Sequence, residues 1–474
     1  MTAKPHSRWA ILGAIMVGSF LGPLMASVVN IALPAISAEF HIDLTDAGWI
    51  ALCFILTTSV TILTFSRIGD MFGHSKVFLW GQAIFLVSTV LCGFANTFEF
   101  LIIARVIQAI GYSMYVAVGG AIIIANVLPQ ERGRSLGIYG MTIAFGLIIG
   151  PAAGGMIVAN LNWHWIFFSS VPIAVFALIY GIIILPAQPP GPRQRFDLLG
   201  ALIISVALAA LMLVLTNVNR WGWDALLTIS LLLLFIAGVV LFIMWESRFP
   251  SPMMPLYMFR NRTFSGGNLA AIANFTAQFT AVLLLPFYLI DLLGKSPQDA
   301  GLILAASPMV SLVASPLSGW LSDKMGTRFL SFAGMLIVAV SMLLATTLGL
   351  GSPTWELILY LGIFGIGSSV FQSPNSSAVM GCLDRTCLGI GNGILSTTRN
   401  IGMAMGIALS TMLAVSGRDS YLASHGAGAD PNLALMEGLR LAFWVAGGIS
   451  VLGAIFSLWR GEPKTREDLA LQNY

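Results

Sequence analysis

The sequence predicts an all-α polytopic membrane protein whose chain crosses the bilayer fourteen times. Hydrophobic residues make up 57% of the 474 residues, charged residues make up only 9%, and the mean hydropathy is +0.89. A soluble globular domain carries about 25% charged residues. Long apolar stretches and an uneven distribution of lysine and arginine point to the same fold class. A soluble protein is therefore excluded, and a net charge of only +3 gives no reason to expect a nucleic-acid partner.

The spans are assigned from apolar stretches, because a bilayer core about 30 Å thick needs about 20 apolar residues in each crossing helix. In chain order the predicted spans are 9–35, 47–66, 77–95, 99–127, 135–158, 165–185, 199–217, 225–245, 266–290, 300–321, 329–350, 355–380, 388–415 and 437–459. The first stretch follows a short MTAKPHSR lead and contains no small-residue cleavage site. It is also longer than the core of a signal peptide, so we expect it to remain as helix 1.

The basic residues predict the orientation, because lysine and arginine are retained on the cytoplasmic side of a membrane. With both termini inside, only Arg220, Lys295, Arg418 and Arg440 fall on outer loops. Seventeen of the 23 basic residues fall on inner segments: Lys4, Arg8, Arg67, Lys76, Arg132, Arg134, Arg193, Arg195, Arg248, Arg260, Arg262, Lys324, Arg328, Arg385, Arg460, Lys464 and Arg466. This bias supports an even number of helices. The predicted location of the multi-pass protein is the cell inner (plasma) membrane.

Cysteine and histidine usage predicts neither a metal site nor an enzyme. The four cysteines lie in or beside the spans, match no metal or redox spacing and are interpreted as free thiols: Cys53, Cys92, Cys382 and Cys387. The five histidines lie in tails or loops and form no ligand cluster. No histidine, aspartate or glutamate lies at the centre of a span, so catalysis at membrane depth has no candidate residues. No cofactor is predicted.

One internal repeat indicates a duplicated chain. The segment DAGW at 46–49 recurs as DAGL at 299–302, and IGDMFG at 68–73 recurs as LSDKMG at 321–326. Both pairs are displaced by 253 residues, and two matches in one register indicate duplication. Helix 2 therefore corresponds to helix 10.

A repeat displaced by eight helices predicts two six-helix bundles with two further helices inserted between them. Proline-rich linkers flank the insert, as expected at its boundaries. The predicted units are an N-terminal bundle in 1–186, inserted helices 7 and 8 in 187–262, a C-terminal bundle in 263–460 and a cytoplasmic tail in 461–474. Parallel halves of this kind place a substrate near the membrane midplane between them.

Each copy of the repeat ends in a short charged turn that resembles a conserved loop of the major facilitator superfamily. The C-terminal copy matches the pattern G-x-L-x-D-[RK]-x-G-x-[RK] through Gly319, Leu321, Asp323, Lys324, Gly326 and Arg328. The N-terminal copy keeps Asp70 and Gly73. It carries Ser66, Met71 and His74 where the pattern has a glycine and basic residues. A carboxylate at a helix end can pair with basic groups and cap a neighbouring helix, so both turns are predicted gating loops, against the plainer interpretation of solvated turns.

Helix 5 carries a run of small residues similar to the G-x-x-x-G-P-x-x-G-G element of the family's antiporters. The run consists of Gly146, Gly150, Pro151, Gly154 and Gly155. Small residues spaced by four let helix backbones approach closely, and proline bends a helix. On physical grounds the run is interpreted as a packing surface. As a family marker it implies export by exchange.

Further segments resemble the fourteen-helix drug/proton antiporter branch of this family, namely 162–172, 256–264 and 286–297. The resemblance implies the major facilitator fold of two six-helix halves. It fails at one position of helix 1, where the family pattern L-D-x-T-I-V-N-V-A-L-P places a membrane-embedded aspartate. This chain has Met25 there and keeps Asn30. A carboxylate at this position could load and release protons, whereas a thioether cannot.

Two arginines lie deep in predicted spans, Arg105 in helix 4 and Arg399 in helix 13. Buried ionisable residues in membranes are costly and usually face a cavity or a partner, so both are candidates for substrate contact or coupling. Arg105 and Gln108 match the family's R-x-x-Q element. A structural role, with the guanidinium bonded to carbonyls or amides, is the alternative for each. Polar residues of other helices are further pocket candidates, each equally explained as helix-packing contacts: Thr57, Thr61, Asn268, Asn274, Gln278, Gln372 and Asn375.

If both arginines face a cavity, its fixed charge is positive and organic cations are poor substrates. The first function hypothesis is a secondary exporter of amphipathic small molecules, of the multidrug or metabolite efflux type, coupled by proton antiport. The alternative is a facilitator or differently coupled carrier for an anionic, zwitterionic or lipid-like substrate. The expected partners are the substrate and the lipid bilayer. The sequence leaves open whether protons and a periplasmic adaptor take part.

Overall fold

The computed structural model describes residues 7–42, 44–186, 196–249, 252, 254–295, 297–384, 387–425 and 430–460. Every regular element in these ranges is helical. The predicted cytoplasmic tail and most of the first proline-rich linker lie outside the described residues. The side chains of Asn30, Pro151 and Asp291 also lie outside them.

Fourteen helices in the described part of the chain are long and apolar enough to cross a membrane, which confirms the predicted fold class. We number them in chain order, and the tenth consists of two segments. They are α1 (Arg8–Phe40), α2 (Leu44–Phe72), α3 (His74–Gly93), α4 (Phe98–Asn126), α5 (Arg132–Asn160), α6 (His164–Ile184), α7 (Leu198–Trp221), α8 (Leu226–Glu246), α9 (Arg262–Phe287), α10 (Pro297–Leu304 and Ala306–Met325), α11 (Thr327–Ala345), α12 (Thr354–Gly381), α13 (Leu388–His425) and α14 (Pro431–Leu458).

Two helices differ from the predicted spans for physical reasons. The break in α10 falls just before Pro308, which has no N–H to donate to the carbonyl of Leu304 one turn earlier. α13 has 38 residues and continues ten residues past the predicted end of its span. The extension carries exposed polar residues such as Arg418 and Asp419. Hydropathy cannot detect it, because backbone hydrogen bonding continues a helix after the apolar pattern ends.

The same close helix crossing occurs once in each half. A Cβ atom on Gly81 of α3 would lie 2.8 Å from the backbone nitrogen of Tyr115 on α4. In the C-terminal half, a Cβ atom on Gly334 of α11 would lie 2.5 Å from the backbone nitrogen of Phe371 on α12. Any side chain at either glycine would force the two backbones apart, so small residues set these crossings. The α3–α4 pair thus corresponds to the α11–α12 pair, in agreement with the duplication inferred from the repeat.

The inserted helices α7 and α8 form a hairpin whose first helix lies against both halves. Asp197 accepts a hydrogen bond from the backbone of Gly200 (2.8 Å) at the start of α7 and also accepts from the Trp245 indole of α8 (2.9 Å). Ser205 of α7 donates to the carbonyl of Val60 on α2 (3.2 Å). Farther along, Met212 belongs to an apolar cluster with residues of α13. α7 therefore covers the seam between α2 and α13, while most of α8 faces outward from the protein.

The small-residue run of helix 5 packs against α1, as the physical interpretation predicted. A Cβ atom on Gly146 would lie 3.1 Å from the Leu24 backbone nitrogen, and one on Gly154 would lie 3.1 Å from Val28 Cγ1. Gly150 lies directly against Ser27. Gly155 is different, because a Cβ atom there would meet no atom within 4 Å.

Replacing Gly150 with valine should destabilise the N-terminal half, because overpacking a tight helix crossing costs about 1–3 kcal/mol. Gly155→Val adds the same side chain to the same helix in open space and is the matched control. Thermal unfolding in detergent, followed by a thiol-reactive dye on the native cysteines, should show a lower melting temperature for Gly150→Val only. Equal melting temperatures for the two variants would contradict the assigned α1–α5 contact.

Candidate functional site

The first candidate gating residue, Asp70, binds the start of a helix from the opposite half. Its Oδ1 accepts a hydrogen bond from the backbone N–H of Gly389 (2.8 Å), and its Oδ2 accepts one from Ile390 (2.9 Å). The first N–H groups of a helix have no partner within the helix and carry partial positive charge. The carboxylate at the inner end of α2 therefore caps α13. We call this contact the α2–α13 latch.

The second gating residue, Asp323, makes the corresponding contact in the other direction. Its Oδ1 accepts from the backbone N–H of Gly133, and its Oδ2 accepts from Arg134, both at 2.9 Å. The carboxylate at the inner end of α10 thus caps α5, and we call this contact the α5–α10 latch. Asp323 follows Asp70 by 253 residues, the displacement of the sequence repeat. Each half therefore supplies one carboxylate and one capped helix.

Close backbone contacts accompany both latches. A Cβ atom on Gly389 would lie 2.6 Å from the carbonyl oxygen of Ser66, and one on Gly133 would lie 2.5 Å from that of Gly319. One turn deeper, Gly393 packs on Ser66 and Gly137 packs on Ser315. Ser66, which departs from the family pattern, is thus a contact residue of the first latch. Gly319, which matches the pattern, occupies the equivalent place in the second.

The other residues of the C-terminal motif stabilise the turn around Asp323. Gly326 has a φ of +87° and Gly73 has a φ of +100°, a backbone region that residues with a Cβ rarely adopt. The Arg328 guanidinium donates to the carbonyl of Leu458 at the end of α14 (2.6 Å). The Lys324 ammonium lies 3.9 Å from the ring centroid of Trp320. In the N-terminal copy, His74 Nε2 lies 2.8 Å from Asp70 Oδ1, in place of a permanently charged residue.

Side-chain contacts extend the closed interface from the latches towards the midplane. Asn392 of α13 donates to the carbonyls of Val116 and Ala117 on α4, both at 2.8 Å. Asn400 of α13 donates to Ser59 Oγ on α2 (3.0 Å). Ser59 lies eleven residues from Asp70, about 16 Å along a helix. The two halves therefore meet from their inner ends to the middle of the membrane, so this conformation is closed on the side predicted to be cytoplasmic.

Met25 lies in the apolar core of the N-terminal half. Only 1% of its surface is exposed, and it belongs to the main hydrophobic cluster together with Leu24 and Val28. The neighbouring α1 surface packs against the small-residue run of α5. The position that holds an aspartate in the resembling family members thus contains a buried thioether in this chain.

Arg105 lies inside the N-terminal half, where its guanidinium has protein partners. Nε donates to the carbonyl of Ile50 on α2 (3.2 Å), and Nη1 donates to Gln108 Oε1 (2.6 Å). Gln108 in turn donates to Thr89 of α3 (2.7 Å), and the guanidinium lies 4.5 Å from the centroid of the Phe54 ring. These contacts tie α2, α3 and α4 together and favour the structural alternative for Arg105. The condition that both arginines line one cavity is not met in this conformation.

Arg399 has a different environment, at the wall of a small cavity in the C-terminal half. The cavity lies between α9, α12 and α13 and has a volume of about 30 Å³. It is lined by Ala271, Phe275, Phe371, Gln372, Asn375, Ser376, Leu395 and Arg399. The Arg399 guanidinium lies 5.5 Å from the centroid of the Phe275 ring. Its Nε is buried and has no hydrogen-bond partner among the described residues.

Four of the remaining predicted pocket residues lie on α9 and α12. Asn274 and Gln372 belong to one polar cluster, in which Gln372 donates to Asn274 Oδ1 (3.3 Å) and to Ser368 Oγ (2.9 Å). Gln278 is half-buried one turn farther along α9. Asn375 is occupied by structural contacts, because it donates to the carbonyl of Gly267 (3.2 Å) and accepts from Arg460. Their roles in binding stay predictions, and the Asn30 side chain lies outside the described residues.

Arg460 is a buried residue that the sequence analysis placed on the inner surface. It is 2% exposed, donates to Ser331 Oγ (3.1 Å) and to Asn375, and burial lowers its pKa to about 9. Its position in the sequence, just past an apolar span, gave no sign of burial. Asn392 was also missed, although the spacing of Gly389 and Gly393 repeats that of Gly133 and Gly137. Among the described residues, no group of histidine, cysteine, aspartate or glutamate side chains could hold a metal ion.

Comparisons with known proteins support the same assignment of the fold. The sequence profile of the Major Facilitator Superfamily matches residues 15–266 and 267–473. The riboflavin transporter RibZ of Clostridioides difficile (strain 630) is 31% identical over 457 residues, covering 95% of this chain and 97% of its own. The multidrug transporter protein MdtP of Bacillus subtilis (strain 168) is 27% identical over 407 residues, covering 86% and 75%. The crystal structure of the human organic anion transporter MFSD10 (TETRAN) superposes with a TM-score of 0.68 at 15% identity, covering 95% of this chain and 100% of that one.

Neutralising a latch carboxylate should open the inner side. Asp70→Asn or Asp323→Asn weakens hydrogen bonds to a charged acceptor that contribute about 1.5–3 kcal/mol. The reporter is Cys387, which lies beside the start of α13 and is 6% exposed. The other three cysteines are replaced by serine, so that only Cys387 can react. We expect its reaction with a maleimide to accelerate about tenfold or more in either variant.

Asp419→Asn is the control for this experiment, because it removes an exposed carboxylate from the outer end of α13, far from the latches. It should leave the labelling rate of Cys387 unchanged. Labelling of the two latch variants at the wild-type rate would show that the carboxylates do not hold the inner side closed.

Proposed function

The chain belongs to the major facilitator superfamily, and we propose that it is a secondary exporter of amphipathic small molecules that works by alternating access. The observation that carries this proposal is the pair of latches. Each half caps a helix of the other with one carboxylate, and each latch consists of two hydrogen bonds to backbone N–H groups. Two symmetric contacts of this kind, placed on the same side of the closed interface, can break and form together, which a transporter requires and a static membrane protein does not.

In the proposed transport cycle, the α2–α13 and α5–α10 latches must break before the inner side can open. When the latches part, the inner faces of α5 and α13 separate from α10 and α2 and the space between the halves opens inward. Substrate enters from the inner side and reaches the midplane, where Asn400 and Ser59 now meet. Closure of the latches then returns the conformation described above. Substrate binding favours this closure only by the difference between its binding free energies for the closed and the inward-open states.

The substrate class is inferred from relatives and from the lining residues. RibZ, the relative at 31% identity, is a riboflavin transporter, and MdtP is a multidrug transporter. Both descriptions favour an amphipathic molecule rather than a sugar or an inorganic ion. Aromatic and amide side chains of α9 and α12, such as Phe275 and Gln372, provide contacts for such a molecule.

Proton antiport is the energy coupling that we propose, carried by a group other than the residue at position 25. Met25 is buried among apolar side chains and cannot titrate. Glu99 lies exposed in the first turn of α4, at the outer end of that helix, and is the first described carboxylate to neutralise. The buried thioether also favours a second candidate function, a facilitator that equilibrates its substrate without a proton gradient.

Transport of riboflavin into proteoliposomes with an imposed pH gradient distinguishes these functions. We expect wild-type vesicles with an acidic lumen to accumulate riboflavin above equilibrium, because protons that leave the vesicle drive riboflavin uptake by exchange. Glu99→Gln should reduce that accumulation to equilibration. Met25→Leu, which keeps an apolar side chain of similar volume, should transport at the wild-type rate. Met25→Asp should add no coupling, because a carboxylate in this apolar core is costly to ionise.

Equilibration without accumulation in wild-type vesicles would establish the facilitator. Flux no faster than through protein-free liposomes, for riboflavin and for a panel of amphipathic dyes, would refute the transport proposal itself.

A further inference from the structure

The Arg399 guanidinium lies at the level of the membrane midplane. It follows the latch residue Gly389 by ten residues on α13, about 15 Å along the helix, and half of a bilayer core is about 15 Å. The next residue, Asn400, reaches across to the N-terminal half. Arg399 is therefore a positive charge in the C-terminal half, next in sequence to a residue that contacts the N-terminal half.

No described residue accepts a hydrogen bond from this guanidinium. An arginine side chain has five N–H donors, and buried donors in proteins almost always have partners. The contrast with Arg105 is direct, because that guanidinium bonds to Ile50 and Gln108. For Arg399, Nε is shielded from solvent and has no hydrogen-bond partner among the described residues. This donor is available to a water molecule or to a group bound in the cavity.

The geometry of the cavity restricts what that group is. The Phe275 ring contacts the guanidinium at 5.5 Å, an interaction that leaves the in-plane N–H donors available. The cavity of about 30 Å³ has room for about two water molecules, or for one carboxylate group, but not for a whole substrate. Gln372 and Ser376 add polar groups to the same wall. The N–H donors of the guanidinium lie in one plane and can bind both oxygens of a carboxylate, and the cavity has the volume for such a planar anionic group.

We propose that Arg399 binds a carboxylate or similarly small anionic group of the transported molecule, while the aromatic part of that molecule lies outside the cavity between the halves. This proposal rests on the proposed transport function and names the substrate class as anionic or zwitterionic aromatic amphiphiles. A single positive charge in a site of low dielectric also excludes cations. Arg399 is thereby the residue that determines charge selectivity.

Equilibrium binding to the full-length protein in lipid nanodiscs tests the proposal with matched pairs of fluorescent probes. The first pair is 10-(carboxymethyl)flavin and neutral 10-(2-hydroxyethyl)flavin, and the second is coumarin-3-carboxylate and coumarin-3-carboxamide. Wild type should bind the carboxylate member of a pair about 10- to 100-fold more tightly, the range expected for hydrogen bonds to a charged group.

Three variants locate the source of the preference. Arg399→Gln should bind both members of a pair with equal affinity, and Arg399→Lys, which keeps the charge without the fork, should retain part of the preference. Arg418→Gln removes an exposed arginine from the same helix and should keep the full preference. The lysine variant also tests the proposal if the glutamine variant does not fold.

A wild-type protein without preference for the carboxylate in either pair would overturn the proposal, as would an unchanged preference in Arg399→Gln. Transport of the same probes into proteoliposomes separates this result from the proposed function. Selective binding without any transport would refute the transport proposal and leave the anion site in place. Transport of both members of each pair at equal rates would refute the anion site and leave the transporter in place.

Discussion

The contact on which the rest of the structure depends is a carboxylate of one half bound to the first N–H groups of a helix in the other half. It occurs twice, through Asp70 on α13 and through Asp323 on α5. Each half has glycine crossings of its own, and the main apolar cluster extends across both halves around the latches. In the latches a carboxylate charge therefore meets the positive end of a helix dipole, and we propose that these contacts control the conformation.

The two latches are similar in backbone geometry and different in electrostatics. In the C-terminal motif the basic residues turn away from Asp323, with Lys324 on Trp320 and Arg328 on the end of α14. In the N-terminal motif His74 contacts the carboxylate of Asp70 directly. The inserted helix α7 adds a further difference, because its described contacts with the two halves lie at the seam between α2 and α13. In the proposed cycle, opening of this seam displaces α2 or α13 relative to α7.

The two deep arginines show why burial alone does not define a functional residue. Arg105 and Arg399 occupy comparable depths in the sequence pattern, and both are costly to place in a membrane. Arg105 satisfies its donors within the N-terminal half and connects three helices. Arg399 faces a cavity and has no acceptor among the described residues. An unpaired buried donor that faces a cavity, rather than burial alone, distinguishes Arg399 as a candidate binding residue.

The sequence by itself determined the fold class and the fourteen spans, and it predicted Asp70 and Asp323 as gating residues. These follow from local quantities, namely apolar length, basic-residue bias and a repeat in fixed register, which do not depend on how helices pack. Only the tertiary structure decided which N–H groups the carboxylates cap, that Gly150 packs on Ser27 while Gly155 faces open space, and that Arg460 is buried. It also showed that the Arg105 guanidinium has hydrogen-bond partners within the protein, whereas the buried Nε of Arg399 has none among the described residues. A side chain's partners come from helices distant in sequence, and the rotation of each helix about its axis is set by packing rather than by hydropathy.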